Sequence, residues 1–456
     1  MSKKHLSKDF TQGSIWRFLI TMSIPFMAAN ALQVLYSTID MVIVGKFVGT
    51  AGLSAVYQSS LILNFATMMC LGFSNAGQIL VAHAIGSQKR KELNQIIGTL
   101  FSLISAMGIV LSVVILFART WILDVMNMPT ESYAMSMDYL IICGCGLFFT
   151  AGYNMVSAVL RGMGDSKRPL LFIGIATVVN LVLDIIFTGF LDMKVAGAAW
   201  ATIIGQGVSF LFSLYYLFKH REAFGFDFKL SSFIPKFNYV RLIFNQGLPM
   251  AIQAGCINIS MMFVNSLVNS ISVVASATFG VGVRIDDIFS KISQGIQFAA
   301  MPIVAQNIAA GKNDRAKKTV YYSWIFAGAL TVICMTIYLT MGKQLFMMFS
   351  DDPLVHEMSH TFIQAILWMM PALTIMRGTF AFIQGIGNAY LGLVLAMLDG
   401  VVLRIGLSWL FGIALGWGFY GFVLGYALAT YGTAIPSCIY FLSGKWEKRK
   451  VLADQL

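Results

Sequence analysis

Residues 15–45 read IWRFLITMSIPFMAANALQVLYSTIDMVIVG, and residues 240–270 read VRLIFNQGLPMAIQAGCINISMMFVNSLVNS. Each is an apolar run of helix length with a proline in its first half, Pro25 in Ser-Ile-Pro-Phe-Met and Pro249 in Gly-Leu-Pro-Met-Ala. About 20 apolar residues carry a helix across a bilayer, and a helix satisfies its own backbone polar groups there. Two runs that share a proline 224 residues apart predict a duplicated membrane protein. Other landmarks keep nearly the same offset. Val81-Ala82 before Ile85-Gly86 matches Val304-Ala305 before Ala310-Gly311, each followed by a basic cluster, and Arg161-Gly-Met-Gly matches Gln384-Gly-Ile-Gly.

Working outward, apolar runs fall near 15–45, 52–84, 93–118, 133–158, 168–190 and 194–218, then near 240–270, 275–308, 316–345, 358–383, 389–412 and 415–442. Several exceed the minimum span and must tilt or project. The chain has 456 residues, of which 58% are hydrophobic and 11% charged, far below the roughly 25% charge of soluble domains. The predicted fold is an all-α integral membrane protein. Its twelve transmembrane helices form two parallel six-helix repeats around a central cleft, because six spans return the chain to its starting side. The expected divisions are an N-terminal lobe at 1–222, a cytoplasmic linker at 223–237, a C-terminal lobe at 238–445 and a tail at 446–456.

The net charge of +11 is a topology signal. Twenty-two Lys and Arg fall on one set of connections, in clusters such as Lys3, Lys4 and Lys8; Lys89–Lys91; Arg161, Lys167 and Arg168; and Lys445–Lys450. The other side holds only Lys46, Arg119, Lys194 and Lys343. The positive-inside rule then puts both termini in the cytoplasm of a prokaryotic cell membrane, with lipid headgroups rather than nucleic acid beside the basic loops. The polar start of the chain lacks an apolar segment with a cleavage site, so no signal peptide is expected. The six cysteines lie in apolar runs without metal-like pairing. Neither a metal-spaced histidine cluster nor a nucleophile–base motif points to an enzyme; His356 and His360 are four apart in an outer loop. No cofactor is implied.

A carboxylate in a span is costly unless compensated, so each is a functional candidate. In the first half Asp40 ends a polar stripe of Gln33, Tyr36 and Ser37 at i, i+3, i+4 and i+7, and Asp184 ends a stripe of Thr177 and Asn180. No Lys or Arg lies deep in these spans. Two such carboxyls suit a proton carrier or a small-cation site. In the second half acids come with bases: Arg284, Asp286, Asp287 and Lys291 in the eighth span, then Arg377, Asp399 and Arg404. Paired charges there are expected to fix packing. Val264 stands at the position of Asp40, within a stripe of amides (Asn258, Asn265, Asn269). Gln33, Ser37, Asn258, Asn265 and Arg284 are candidates to line a substrate cleft. Pro25 and Pro249 each remove a backbone hydrogen bond inside a helix, so Pro25 is a candidate bending point.

At these residues the chain resembles the multidrug and toxic compound extrusion (MATE) family, in particular its DinF-like branch. The resemblance covers about residues 12–445 and rests on Pro25 with Tyr36–Asp40, on Arg161-Gly-Met-Gly-Asp165, and on Asn180–Asp184. It implies a monomeric antiporter that exports cationic or amphipathic organic compounds by alternating access, coupled to cation entry through the first lobe. Carried over by position, the coupling network is Asp40 and Asp184 with Tyr36, Tyr139, Asn154, Asn180 and Thr202. The coupling ion is expected to be H+, with Na+ at Asp40/Asp184 as the alternative. The related NorM-like branch is known for acidic cation sites in the seventh and tenth helices. This chain has no Asp or Glu from Asn245 to Val283 or from Thr361 to Tyr390, which favours protons at the first lobe. A flippase of a lipid-linked precursor is the other alternative; it calls for a cationic cavity, and the acidic first half counts against it.

Overall fold

A computed structural model describes residues 8–126 and 128–456; Lys3, Lys4 and His5 fall outside them. The regular secondary structure of the described residues is all helical, without a strand. The first half comprises α1 (Ile15–Phe47), α2 (Thr50–Gly86), α3 (Leu93–Val125), α4 (Thr130–Gly162), α5 (Lys167–Asp184) and α6 (Lys194–Lys219). A π-helical turn, Ile185–Phe190, extends α5. After the short α7 (Arg221–Phe224) the second half repeats the order. It has α8 (Phe237–Asn269), α9 (Val273–Ala309), α10 (Asn313–Met347), the pair α11 (Pro353–Ile366) and α12 (Met369–Gly385), α13 (Ala389–Met397), α14 (Ile405–Trp409), α15 (Gly418–Ala429) and α16 (Tyr431–Leu442). π-helical turns at Leu398–Arg404 and Leu410–Ala414 join α13, α14 and the loop before α15 into one span.

Ten of these segments are long and apolar enough to cross a membrane singly. The α11–α12 pair, bent by 48°, makes an eleventh. The twelfth expected span is α9, 37 residues long, with Arg284, Asp286, Asp287 and Lys291 in its first half. Along α3, Ile109, Val110, Val113, Val114, Phe117 and Trp121 are exposed on one side, as a lipid-facing surface requires.

The chain packs as two compact units, one centred on Ala28–Ala251, the other combining Phe10–Met27 with Ile252–Gln455. Both long helices that open a half, α1 and α8, therefore divide two residues beyond their prolines, Pro25 and Pro249, while remaining helical across them. Glycines permit the packing. In the first unit a Cβ on Gly72 would lie 2.7 Å from the Ala251 nitrogen; in the second, a Cβ on Gly295 would lie 2.6 Å from the Met27 nitrogen.

The expected linker is an ordered strap on α3 in the first unit. Asn94 Nδ2 donates to Ser232 Oγ (3.1 Å), Ser232 Oγ donates to Asp227 Oδ1 (2.7 Å), and Ser102 Oγ donates to the Phe233 carbonyl. Phe233 packs edge-on against Phe226 and Phe228, and Phe101 of α3 meets Phe233 at 5.2 Å.

The Arg161-Gly-Met-Gly-Asp165 turn has a structural task. Gly164 takes φ +84°, Asp165 N donates back to Leu160 O (2.8 Å), and Asp165 Oδ1 accepts from the amides of Lys167 and Arg168, opening α5. Its counterpart has Gly387 at φ +72°, Asn388 N donating to Ile383 O (3.0 Å), and Asn388 Oδ1 accepting from Leu391 N.

Candidate functional site

The first unit brings most of the predicted polar network together. The last third of α1 supplies Tyr36 and Asp40, the end of α5 supplies Asn180 and Asp184, α6 supplies Thr202 and α4 supplies Tyr139. Asp40, Asp184, Asn180 and Tyr139 are buried, with exposures of 7%, 1%, 2% and 4%. The Thr202 hydroxyl is the hub: it accepts from Tyr36 Oη at 3.2 Å and from Asn180 Nδ2 at 3.4 Å. One helical turn separates Asn180 from Asp184, so both point to this hub's side of α5.

The two carboxyls lie next to each other, close enough to act directly on one another's ionisation, and both act on Tyr36 and Cys143. Asp40 Oδ1 and both carboxyl oxygens of Asp184 have no hydrogen-bond donor. Among the described residues neither carboxyl forms an ion pair. The π-helical turn begins at Ile185, immediately after Asp184, where the hydrogen-bond ladder changes register. Such a cluster offers acceptor oxygens and hydroxyl donors, with no Lys or Arg among its members.

The other candidates take no part in its hydrogen bonds as described. Asn154 is half-buried in α4 and makes no recorded hydrogen bond within the cluster. Gln33 is exposed and Ser37 bonds to its own helix, donating to Val34 O at 3.0 Å. Asn258 and Asn265 are exposed on α8, and Asn258 Nδ2 donates to Ala254 O at 2.9 Å. Arg284 is half-buried on α9. Pro25 belongs to the other unit.

Two members were not foreseen. Cys143, buried one turn beyond Tyr139, faces the carboxyls, with its Sγ 3.9 Å from Ala199 O. Ser60 of α2 sits against the Tyr139 hydroxyl. The i+4 spacing from Tyr139 could have flagged the cysteine; nothing in the sequence flags the serine.

In the second unit one buried acid, Asp399, is compensated by a base, while buried Asp286 forms no ion pair among the described residues. Arg404 NH2 lies 2.9 Å from Asp399 Oδ1, and Thr433 Oγ1 donates to Asp399 Oδ2 at 3.3 Å. The Arg404 guanidinium lies 4.9 Å from the centre of the Tyr426 ring. Arg377 is held by neutral groups, donating to Ser290 Oγ (2.7 Å), Ser290 O (2.9 Å) and Ser293 Oγ (3.0 Å). Asp287 and Lys291 form a more exposed pair at 3.6 Å. Among the described residues no group of three His, Cys, Asp or Glu is placed to hold a metal ion.

The MatE family profile matches residues 25–186 and again 249–410, an offset of 224 at both ends. The chain is 29% identical to the probable multidrug resistance protein YpnP of Bacillus subtilis over 98% of this chain and 99% of that one. It is 24% identical to the probable multidrug resistance protein NorM of Thermotoga maritima, over 99% and 97%. Its fold is similar to that of a MATE protein solved in the straight conformation, with a TM-score of 0.92 at 21% identity, covering 98% of this chain and 100% of the other. With the family profile spanning both halves, the chain belongs to the multidrug and toxic compound extrusion family of multi-pass membrane transporters.

Proposed function

We propose that this transporter exports small cationic or amphipathic organic compounds, and that a proton taken up at Asp40 and Asp184 drives the export. The observation that carries the reading is the adjacent pair of buried carboxyls, neither of them in an ion pair, with Asp40 Oδ1 and both oxygens of Asp184 lacking a hydrogen-bond partner. Two neighbouring carboxylates repel, and a single shared proton removes the repulsion and supplies the missing donor. A cationic substrate meets the same need when the pair is ionised, so proton and substrate compete. Competition of this kind lets each shift the protein between outward-open and inward-open states by its differential affinity. The α1 segment beyond Pro25 links the carboxyl to a helix that is short of one backbone hydrogen bond, a place for bending when Asp40 changes charge.

Export agrees with the names of the similar B. subtilis and T. maritima proteins, each a probable multidrug resistance protein. The basic excess on one set of loops supports cytoplasmic termini in a bacterial cell membrane. Sodium is the second candidate ion, favoured by an all-oxygen donor set of carboxyls, amide and hydroxyls.

The test is efflux of a fluorescent organic cation from proteoliposomes under an imposed pH gradient or an imposed Na+ gradient, comparing wild type with Asp40→Asn. The pH gradient should drive the wild type and fail to drive the variant. Full pH-driven efflux by Asp40→Asn would sink the proposed role, and drive by Na+ alone would move the assignment to sodium.

A further inference from the structure

The two halves keep one register, and the second half's polar cluster can be compared with the first position by position. The profile sets the offset at 224; α6 at Lys194 and α15 at Gly418 keep it, and α2 at Thr50 and α9 at Val273 fall one residue short of it. At that offset Asp40 corresponds to Val264, Asp184 to Ser408, Thr202 to Tyr426, and Asn180 to Arg404. Asn180, which donates to the Thr202 hub of the first unit, is thus matched in the second by the permanent cation Arg404, and the hub itself by Tyr426, against whose ring Arg404 lies.

The local backbone bears this out. Asp165 and Asn388, which open α5 and α13, are 223 apart, whereas the helix starts that follow, Lys194 of α6 and Gly418 of α15, are 224 apart. The second half has gained one residue between them. The π-helical turn Leu398–Arg404 lies in that interval, while the matching part of α5 is regular α-helix. In an α-helix residues five apart point about 140° away from each other, at about 100° per residue. The wider π turn brings Asp399 and Arg404 within 2.9 Å.

The pair is buried, at 5% and 7% exposure, and closed by Thr433 and the Tyr426 ring. Asp286 of α9 completes the surroundings; it interacts with the Tyr426 hydroxyl, Arg404, Arg377 and Asp287. Asp286 Oδ1 and Arg404 Nε have no hydrogen-bond partner.

We propose that Arg404 is a tethered cation that plays, in the second unit, the part a mobile cation plays in the first. It neutralises Asp399, faces Asp286, and so confines cation coupling to Asp40 and Asp184. Removing the guanidinium leaves Asp399 and Asp286 as a latent site for a small monovalent cation, guanidinium itself fitting best because it reproduces the lost fork and the contact with Tyr426. The inference rests on the proposed coupling role of the first unit only for its functional meaning; the latent site is read separately.

The experiment follows thermal unfolding of purified Arg404→Ala in detergent against millimolar guanidinium chloride, with sodium chloride at matched ionic strength. The variant should melt below wild type and regain stability with guanidinium. A ligand that binds only the folded state gives a rise of about 2 °C per tenfold increase above its Kd. Wild type and the charge-removed double variant Asp399→Asn/Arg404→Leu should not respond. Arg404→Gln carries the same expectation as Arg404→Ala. Should neither survive extraction, guanidinium present during solubilisation should restore folded yield. A lower melting point with no recovery in either salt would mean that Arg404 serves packing alone, and would overturn the proposal. Repeating the titration in an Asp40→Asn background separates the two claims. Guanidinium recovery there, alongside intact pH-driven efflux by Asp40→Asn, would overturn the coupling role and keep the latent site.

Discussion

Gly98 tests whether the strap between the halves is fastened as the structure has it. A Cβ at this position would lie 1.8 Å from the Ser232 carbonyl oxygen and 2.7 Å from its carbon, both backbone atoms. Ordinary C···O contacts run about 3.3–3.6 Å, so Gly98→Ala must lift the 3-10 turn Leu230–Phe233 by about 1.5 Å. That shift breaks the Asn94–Ser232 bond, now 3.1 Å, and the bond from Ser102 to Phe233. At about 1 kcal/mol for each bond and about 1–3 kcal/mol for overpacking, the variant should lose about 3–5 kcal/mol. Thermal unfolding in detergent reads the loss, and trypsin cleavage at Lys229 and Lys236 reads release of the strap. Gly174→Ala is the control: a Cβ there meets nothing within 4 Å, and a helical Gly→Ala change stabilises by about 1 kcal/mol. If Gly98→Ala melted with wild type and resisted trypsin equally, the strap's docking on α3 would be refuted.

Thr202→Val keeps the shape and removes the hydroxyl that accepts from Tyr36 and Asn180; the melting point should fall by the equivalent of about 1–2 kcal/mol, and the pH profile of efflux should shift while substrate binding persists. Gly72→Val and Gly295→Val place side chains against the α8 and α1 backbones, so each should fold poorly, read as monodisperse yield on size exclusion. The Ser232 hydroxyl, followed by the Lys229 amide, holds the exposed Asp227 carboxyl below its usual range. A lowered carboxyl stabilises the strap above the ordinary carboxylate range and ceases to as the pH falls through it. Cleavage of the strap by an acid-active protease should therefore rise only as the pH falls through that range, and Asp227→Asn should be sensitive to trypsin at Lys229 already at neutral pH.

Much of this was legible because membrane helices advertise themselves. Spans, duplication and the proline landmarks follow from apolar length and a fixed offset, and the polar faces of the first and fifth helices put Tyr36, Asp40, Asn180 and Asp184 in one place. The Asp399–Arg404 pair was recognised as charge balance but not as a contact, since a five-residue spacing separates side chains in an α-helix and the π turn leaves no pattern in composition. The polar stretch after α6 read as a joint, whereas its order comes from Gly98 and the hydroxyls of Ser102 and Ser232, contacts over 130 residues apart in sequence.

The central claim is that the carboxyl pair of the first unit carries the coupling proton. Its most direct test loads proteoliposomes with a pH-sensitive dye, imposes a substrate gradient with no pH gradient, and reads proton movement. Wild type should move protons against substrate, and both Asp40→Asn and Asp184→Asn should pass substrate, if at all, without them. Substrate-linked proton movement at the wild-type rate in Asp40→Asn would contradict the account.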